Sequence, residues 1–132
     1  MLCRGVSATL PGYRPTTDLS EATLAVARAD YASFHELIGA RVPTVFVPSP
    51  DAHDDELARA RFADTAGVAL CATSDDELAS ALDRLSEPES RAALRRRCEE
   101  LAFGNGASDA AVWLTAHSRA RPEAEADRAG HR

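Results

Sequence analysis

Residues 29 to 67 read ADYASFHELIGARVPTVFVPSPDAHDDELARARFADTAG, and this stretch decides the fold. Val42 to Val47 is rich in β-branched and apolar residues, with Pro43 near its start and Pro48 just past its end. A run with no polar face fits a central parallel strand covered by helices on both sides. Ahead of it, Ser33 to Ile38 places Phe34, Leu37 and Ile38 on one helical face. Behind it lies the acidic loop Asp51-Ala52-His53-Asp54-Asp55-Glu56. A second helix is predicted from Asp54 to Thr65, with Leu57, Ala60, Ala63 and Asp64 continuing its turns. Gly67 supplies the left-handed residue that ends it. Helix, strand, loop and helix in this order form a βα-type unit whose loops open on one edge of a sheet. Such edges are where α/β folds bind ligands.

Working outward, Leu24-Ala25-Val26-Ala27 reads as a brief buried strand, preceded by a short helical stretch capped by Asp18 or Ser20. Val68 to Cys71 gives another short strand. Ser74-Asp75-Asp76-Glu77 is a capping box opening a helix that runs through Leu85. Leu78, Ala81, Leu82 and Leu85 mark its buried stripe. Pro88 breaks the chain before a helix from Glu89 to Leu101. Gly104-Asn105-Gly106 then turns into a last helix carrying Ala110, Ala111, Val112, Trp113 and Leu114. Residues 1–17, with Pro11, Gly12 and Pro15, are expected to form an irregular N-terminal arm. Residues 119–132, RARPEAEADRAGHR, are expected to be a disordered polar tail. Between them, residues 18–118 alternate strands and helices as one α/β domain.

Composition narrows the function classes. The chain has 132 residues and a formal net charge of −6. It has arginine but no lysine or glutamine, which reads as coding bias rather than a nucleic-acid signature. A phosphate-backbone binder needs a basic face, so no nucleic-acid partner is expected. Arg95, Arg96 and Arg97 precede Glu99 and Glu100 and are predicted to be a solvated helix face. Cys3, Cys71 and Cys98 are odd in number and widely spaced, which fits neither a disulfide framework nor structural zinc. Cys71, in an apolar run, is expected to be buried. No stretch approaches the length of a membrane span, and MLCRGVSATLPGY lacks the apolar core of a signal peptide. A cytoplasmic protein is expected.

The central stretch also resembles the C-terminal, sugar-nucleotide-binding half of glycosyltransferase family 28. That family includes the UDP-N-acetylglucosamine transferase of peptidoglycan synthesis. Its pattern is a Gly-x-x-(Ser/Thr)-x-x-Glu-Leu helix start, a Val-Pro-x-(Val/Ile)-Phe-Val-Pro strand, an Asp-Asp-Gln-type loop and an Ala-Arg-x-x-x-x-x-Gly helix end. Ser33, Glu36 and Leu37 fit the first element, Val42 to Pro48 the second, and Asp54, Asp55 and Glu56 stand at the third. The resemblance spans about residues 18 to 117. It implies a Rossmann-like three-layer sandwich with a parallel sheet: the C-terminal half of a GT-B glycosyltransferase, truncated at its N-terminus.

By the same resemblance, Glu36 binds the ribose hydroxyls of a UDP-sugar, since one carboxylate can accept from two vicinal hydroxyls. Ser33 approaches the diphosphate from the first turn of its helix, where free amides and the positive dipole end lie. Asp55 and Glu56 contact the donor sugar, while Asp54 supports the following helix through its dipole. His53 beside the carboxylates has no fixed ligand spacing, so no metal and no cofactor is expected. His35 is a weak candidate base. The family's glycine ahead of the diphosphate helix is Asp30 here, the glycine before Val-Pro is Arg41, and the loop glutamine is Glu56.

No catalytic residue is assigned, because the acceptor-binding half that carries the base has no counterpart in these residues. The expected function is therefore a donor domain for hexosyl or N-acetylhexosaminyl transfer, completed by an N-terminal-half polypeptide. Through such a partner it would associate peripherally with a membrane. The competing expectation is a non-catalytic interaction domain or an inactive, truncated remnant.

Overall fold

The computed structural model describes residues 2–3, 14–15, 18–19, 21–101 and 107–118. Strands β1 (Leu2–Cys3) and β2 (Arg14–Pro15) pair in parallel as a short ladder of their own. The main sheet holds β3 (Ala25–Ala27), β4 (Thr44–Phe46) and β5 (Leu70–Cys71), all parallel, with β4 in the middle. Val45 lies opposite Val26 on one side and Leu70 on the other. Bonds from the Ala25 amide to the Pro43 carbonyl, 2.9 Å, and from the Val47 amide to the Ala27 carbonyl, 2.8 Å, extend the β3–β4 ladder at both ends. Val42 to Val47 is thus the central parallel segment its composition predicts.

Helices α1 (Tyr31–Gly39), α2 (Glu56–Ala66), α3 (Asp75–Ser86) and α4 (Pro88–Leu101) connect and cover these strands, and α5 (Ala107–Ser118) follows them, exposed along its length. Successive residues of β4 face opposite ways, so they serve two separate clusters. Phe46 packs with Phe34, Leu37 and Ile38 of α1 and with Ala60 and Ala63 of α2. Its ring stacks on Phe34 with centroids 5.4 Å apart. Val45 packs instead with Ala81 and Leu85 of α3 and Leu94 of α4. Each large side chain so buried is worth roughly 1.5–3 kcal/mol. The outcome is an α/β domain with a small parallel sheet and mostly helices.

Local chemistry sets the helix ends. Asp30 caps α1 with its carboxylate on the Ser33 amide at 3.0 Å. Ser74 caps α3 by accepting from the Glu77 amide at 3.2 Å. Glu77 then reaches the amide and hydroxyl of Thr73, at 2.7 and 2.8 Å, one residue ahead of where a capping box would send it. Gly67 ends α2 in the left-handed conformation, φ 75°. Pro88 occupies the first position of α4, where its missing N–H costs nothing.

Several expectations are corrected. Ala22 bonds back to the Leu19 carbonyl at 3.0 Å as a turn, not a helix capped at Asp18, since so few residues cannot offset nucleation. Leu24 to Ala27 is half-buried at best, and Val26 is 47% exposed, because β3 lies at the sheet edge. Val47 and Cys71 are half-buried too. The arginines of α4 are not simply a solvated face: Arg97 donates to the Ala66 carbonyl at 2.9 Å, and Arg95 reaches the Thr23 carbonyl at 3.4 Å. Arg91, from the same helix, bonds the Leu85 and Ser86 carbonyls at 2.6 and 2.7 Å. The guanidiniums of Arg97 and Arg91 satisfy orphan carbonyls at the ends of α2 and α3. The expected turn at Gly104 to Gly106, the tail 119–132 and most of the arm 1–17 lie outside the described residues. Among the described residues, no helix is long and apolar enough to cross a membrane.

Candidate functional site

Strands β3 and β4 are parallel, so their C-terminal ends lie side by side. The loop leaving β3 becomes the start of α1, and the loop leaving β4 becomes the start of α2. Ser33 and Glu36, three residues apart, share one face of α1. Ser33 is half-buried and Glu36 exposed, while Phe34, Leu37 and Ile38 turn to the core. Asp55, exposed, stands at the cap position of α2 without a side-chain capping bond. The topology therefore brings Ser33 and Asp55 to neighbouring loop ends of one sheet edge, with Glu36 a turn further along α1.

Glu56 behaves differently. It is the first residue of α2 and only 1% exposed. Its Oε1 accepts from Arg28 Nη2 at 2.5 Å, and its Oε2 accepts from the Ser49 amide at 2.9 Å. Arg28 Nε adds a longer contact to Oε2 at 3.4 Å. Both carboxylate oxygens are engaged within the chain, tying the exit of β3 to the loop after β4.

The start of α1 is occupied as well. Asp30 holds the Ser33 amide, and that bond, more than any other influence, keeps its carboxyl below the ordinary aspartate value. The Ser33 hydroxyl, the Arg28 charge and the Ala32 amide act in the same direction, against a partial desolvation. Asp30 thus sets a negative charge at the start of α1, and the capping geometry says what it does there. It serves as the helix's own anion.

Asp54 forms a two-pronged pair with Arg59, Oδ1 to Nη2 at 2.7 Å and Oδ2 to Nη1 at 3.1 Å. Its Oδ1 also accepts from the Asp55 amide at 2.8 Å. Arg59 Nη1 donates in addition to the Ala29 carbonyl. Hydrogen bonding to Arg59 is the main reason the Asp54 carboxyl lies below its usual range, with the Asp55 amide, the Arg59 charge and the Tyr31 amide assisting. His35 is exposed and lies against Tyr31, centroids 4.4 Å apart.

Arg28 and Arg59 organise this edge, and sequence reasoning passed over both. The available signal was position: Arg28 follows directly on a strand, and Arg59 lies one turn into a helix that opens with acids. Chemically, Glu36 and Asp55 present exposed acceptors suited to hydroxyl groups. Among the described residues no cluster of three or more His, Cys, Asp or Glu could hold a metal ion. An open cleft of about 450 Å³ lies elsewhere, between α2, β5 and α3, lined by Asp64, Cys71, Asp76, Glu77, Ser80 and Arg84 among others. Its acids are largely spent: Asp64 accepts from the Cys71 amide at 2.9 Å, and Glu77 serves Thr73. Burial, helped by the charges of Asp64 and Glu77, pushes the Cys71 thiol up, which leaves it a poor nucleophile.

No protein-family model matches this chain. No curated protein matches it either. Among solved structures it is similar to one described as the glycotransferase of kitacinnamycin, at 22% identity and a TM-score of 0.48. That likeness covers 74% of this chain and 29% of the other, so the chain spans under a third of that protein's length. At this distance the likeness carries no argument about function.

Proposed function

We propose that this domain is a donor module of the glycosyltransferase family 28 type, a partial GT-B C-terminal half that recognises a UDP-sugar. Glu36 accepts the ribose hydroxyls, Ser33 borders the diphosphate and Asp55 accepts from sugar hydroxyls. Glu56, in this reading, acts from beneath by fixing the loop that carries Asp55. The observation that carries the proposal is the joint placement of Ser33, Glu36 and Asp55. They stand on the helix and loop that leave two adjacent parallel strands at one sheet edge, in the order of the family's motifs. Acceptor binding and the general base belong to a polypeptide segment outside these residues, and hexosyl or N-acetylhexosaminyl transfer is the reaction the complete enzyme would perform.

One observation favours a second reading, a non-catalytic domain or inactive remnant. The Ser33 amide that a diphosphate would use is already taken by Asp30, whose charge opposes an anionic ligand. Titration of the chain with UDP and UDP-N-acetylglucosamine, followed by NMR, separates the two. Weak binding that disappears in Glu36→Ala is expected, with stability unchanged within about 0.5 kcal/mol as for other surface changes. Equal affinity in wild type and variant, or none in either, would establish the second reading.

A further inference from the structure

The loop between β4 and α2 is fastened at two points of different character. At its base, Glu56 is 1% exposed and engaged by Arg28 and the Ser49 amide. Two residues before Glu56, Asp54 is 48% exposed and held by Arg59, whose side chain is 18% exposed. Arg59 also donates to the Ala29 carbonyl, in the segment just ahead of α1. The run Ala29 carbonyl, Arg59, Asp54 therefore crosses from the β3–α1 connection to the β4–α2 loop, over the edge where the proposed site lies. A buried, doubly satisfied carboxylate behaves as a fixed anchor, because releasing it would leave a charge without partners. A solvent-reached ion pair does not, since water and salt compete for both ends.

We propose that residues 51–55 form a strap hinged at Glu56 and latched by the Asp54–Arg59 pair, which lies across the start of α1 and gates that site. Salt releases the latch by screening it. A ligand carrying a dense anionic group, such as a nucleoside diphosphate, releases it by drawing Arg59 away from Asp54; this second trigger rests on the nucleotide reading above.

Backbone order parameters from ¹⁵N relaxation of the whole chain test the strap without any ligand. In wild type at low salt the amides of Ala52, His53 and Asp55 should read near the rigid value of about 0.85. In Arg59→Gln and Asp54→Asn they should fall below about 0.6, the range of flexible backbone. Ser49, held by the hinge, and Ala72, bonded to Phe46 in the sheet, should not change. Wild type in 1 M sodium chloride should approach the variants. Order parameters of residues 52–55 unaltered in both variants, or a loss shared equally by Ala72, would overturn the strap. UDP serves as the ligand probe, and several-fold tighter binding to Asp54→Asn than to wild type is expected at low salt. Unchanged or weaker UDP binding in Asp54→Asn, beside measurable binding in wild type, would overturn the gating. An absence of UDP binding in every protein, with the loop still loosened in the variants, would retire the nucleotide reading and uphold the strap.

Discussion

Glu56 opens helix α2 with its carboxylate 2.5 Å from the Arg28 guanidinium and almost wholly removed from solvent. The pair is lopsided, because Arg28 remains 60% exposed. Arg28 can therefore keep water as a partner, whereas Glu56 depends on Arg28 and Ser49. What looks in the sequence like one more acid of a surface loop is the joint between two strand exits.

Removing that joint should cost more than any other polar change at this edge. Glu56→Ala strands the Ser49 amide and leaves a gap beneath the loop while Arg28 turns to water, so a loss of about 1–3 kcal/mol is expected. Glu56→Gln keeps an acceptor for Ser49 and much of the volume, so it should lose less. Chemical denaturation of the two variants checks the order; equal losses would mean that the charge rather than the bond to Ser49 matters.

Arg41 sits at the end of α1 with φ 57°, a left-handed conformation that disfavours any residue with a Cβ. Its exposed pair with Glu99, at 3.0 Å, offers little in return. Arg41→Gly should raise stability by about 0.5–1 kcal/mol, or a few degrees in Tm for a domain of this size. A lower Tm would show that the Glu99 contact outweighs the strain.

Asp30 caps α1, and Asp30→Ala should cost about 1 kcal/mol at neutral pH. The sign of its pH dependence follows from the lowered carboxyl. A depressed folded-state pKa means the stabilisation is complete above the unfolded value of about 3.9 and is lost as pH falls through the folded value. The gap between wild type and Asp30→Ala should therefore close in acid. Thermal melts between neutral pH and pH 3 measure it, and a gap that widens on acidification would exclude the cap as the cause.

Asp30→Gly tests the site rather than the cap. It frees the Ser33 amide and removes a charge from the place proposed for the diphosphate. At 5–6 Å and an effective dielectric near 20, one unit-charge pair opposes binding by about 3 kcal/mol before screening. A third of that is a several-fold change in affinity. UDP should bind Asp30→Gly more tightly at low salt, with the gain shrinking as salt rises. Unchanged affinity would place the diphosphate elsewhere.

Val45 is fully buried in the middle strand, against Leu85 and Leu94. Val45→Asp would put an unpaired charge there and should abolish folding. A circular dichroism spectrum and melt like those of wild type would refute the central position of β4.

The sequence alone determined whatever depends on neighbours a few residues apart. The apolar run into Pro48 marks β4, Phe34, Leu37 and Ile38 mark the buried face of α1, and Ser74 and Gly67 mark helix ends. Each follows from backbone geometry and a period of two or 3.6 residues. Leu24 to Ala27 was legible as a strand but not as an edge, because strand order is set by long-range pairing rather than by local pattern. The loop-end positions of Ser33 and Asp55 follow from the order of strands and helices, whereas the inward turn of Glu56 does not. That turn depends on Arg28, 28 residues away in the chain, arriving beside it. The same holds for Arg97, whose guanidinium meets the Ala66 carbonyl across 31 residues. Tertiary structure alone decided which charges face solvent, because a charge is buried only where folding delivers its partner.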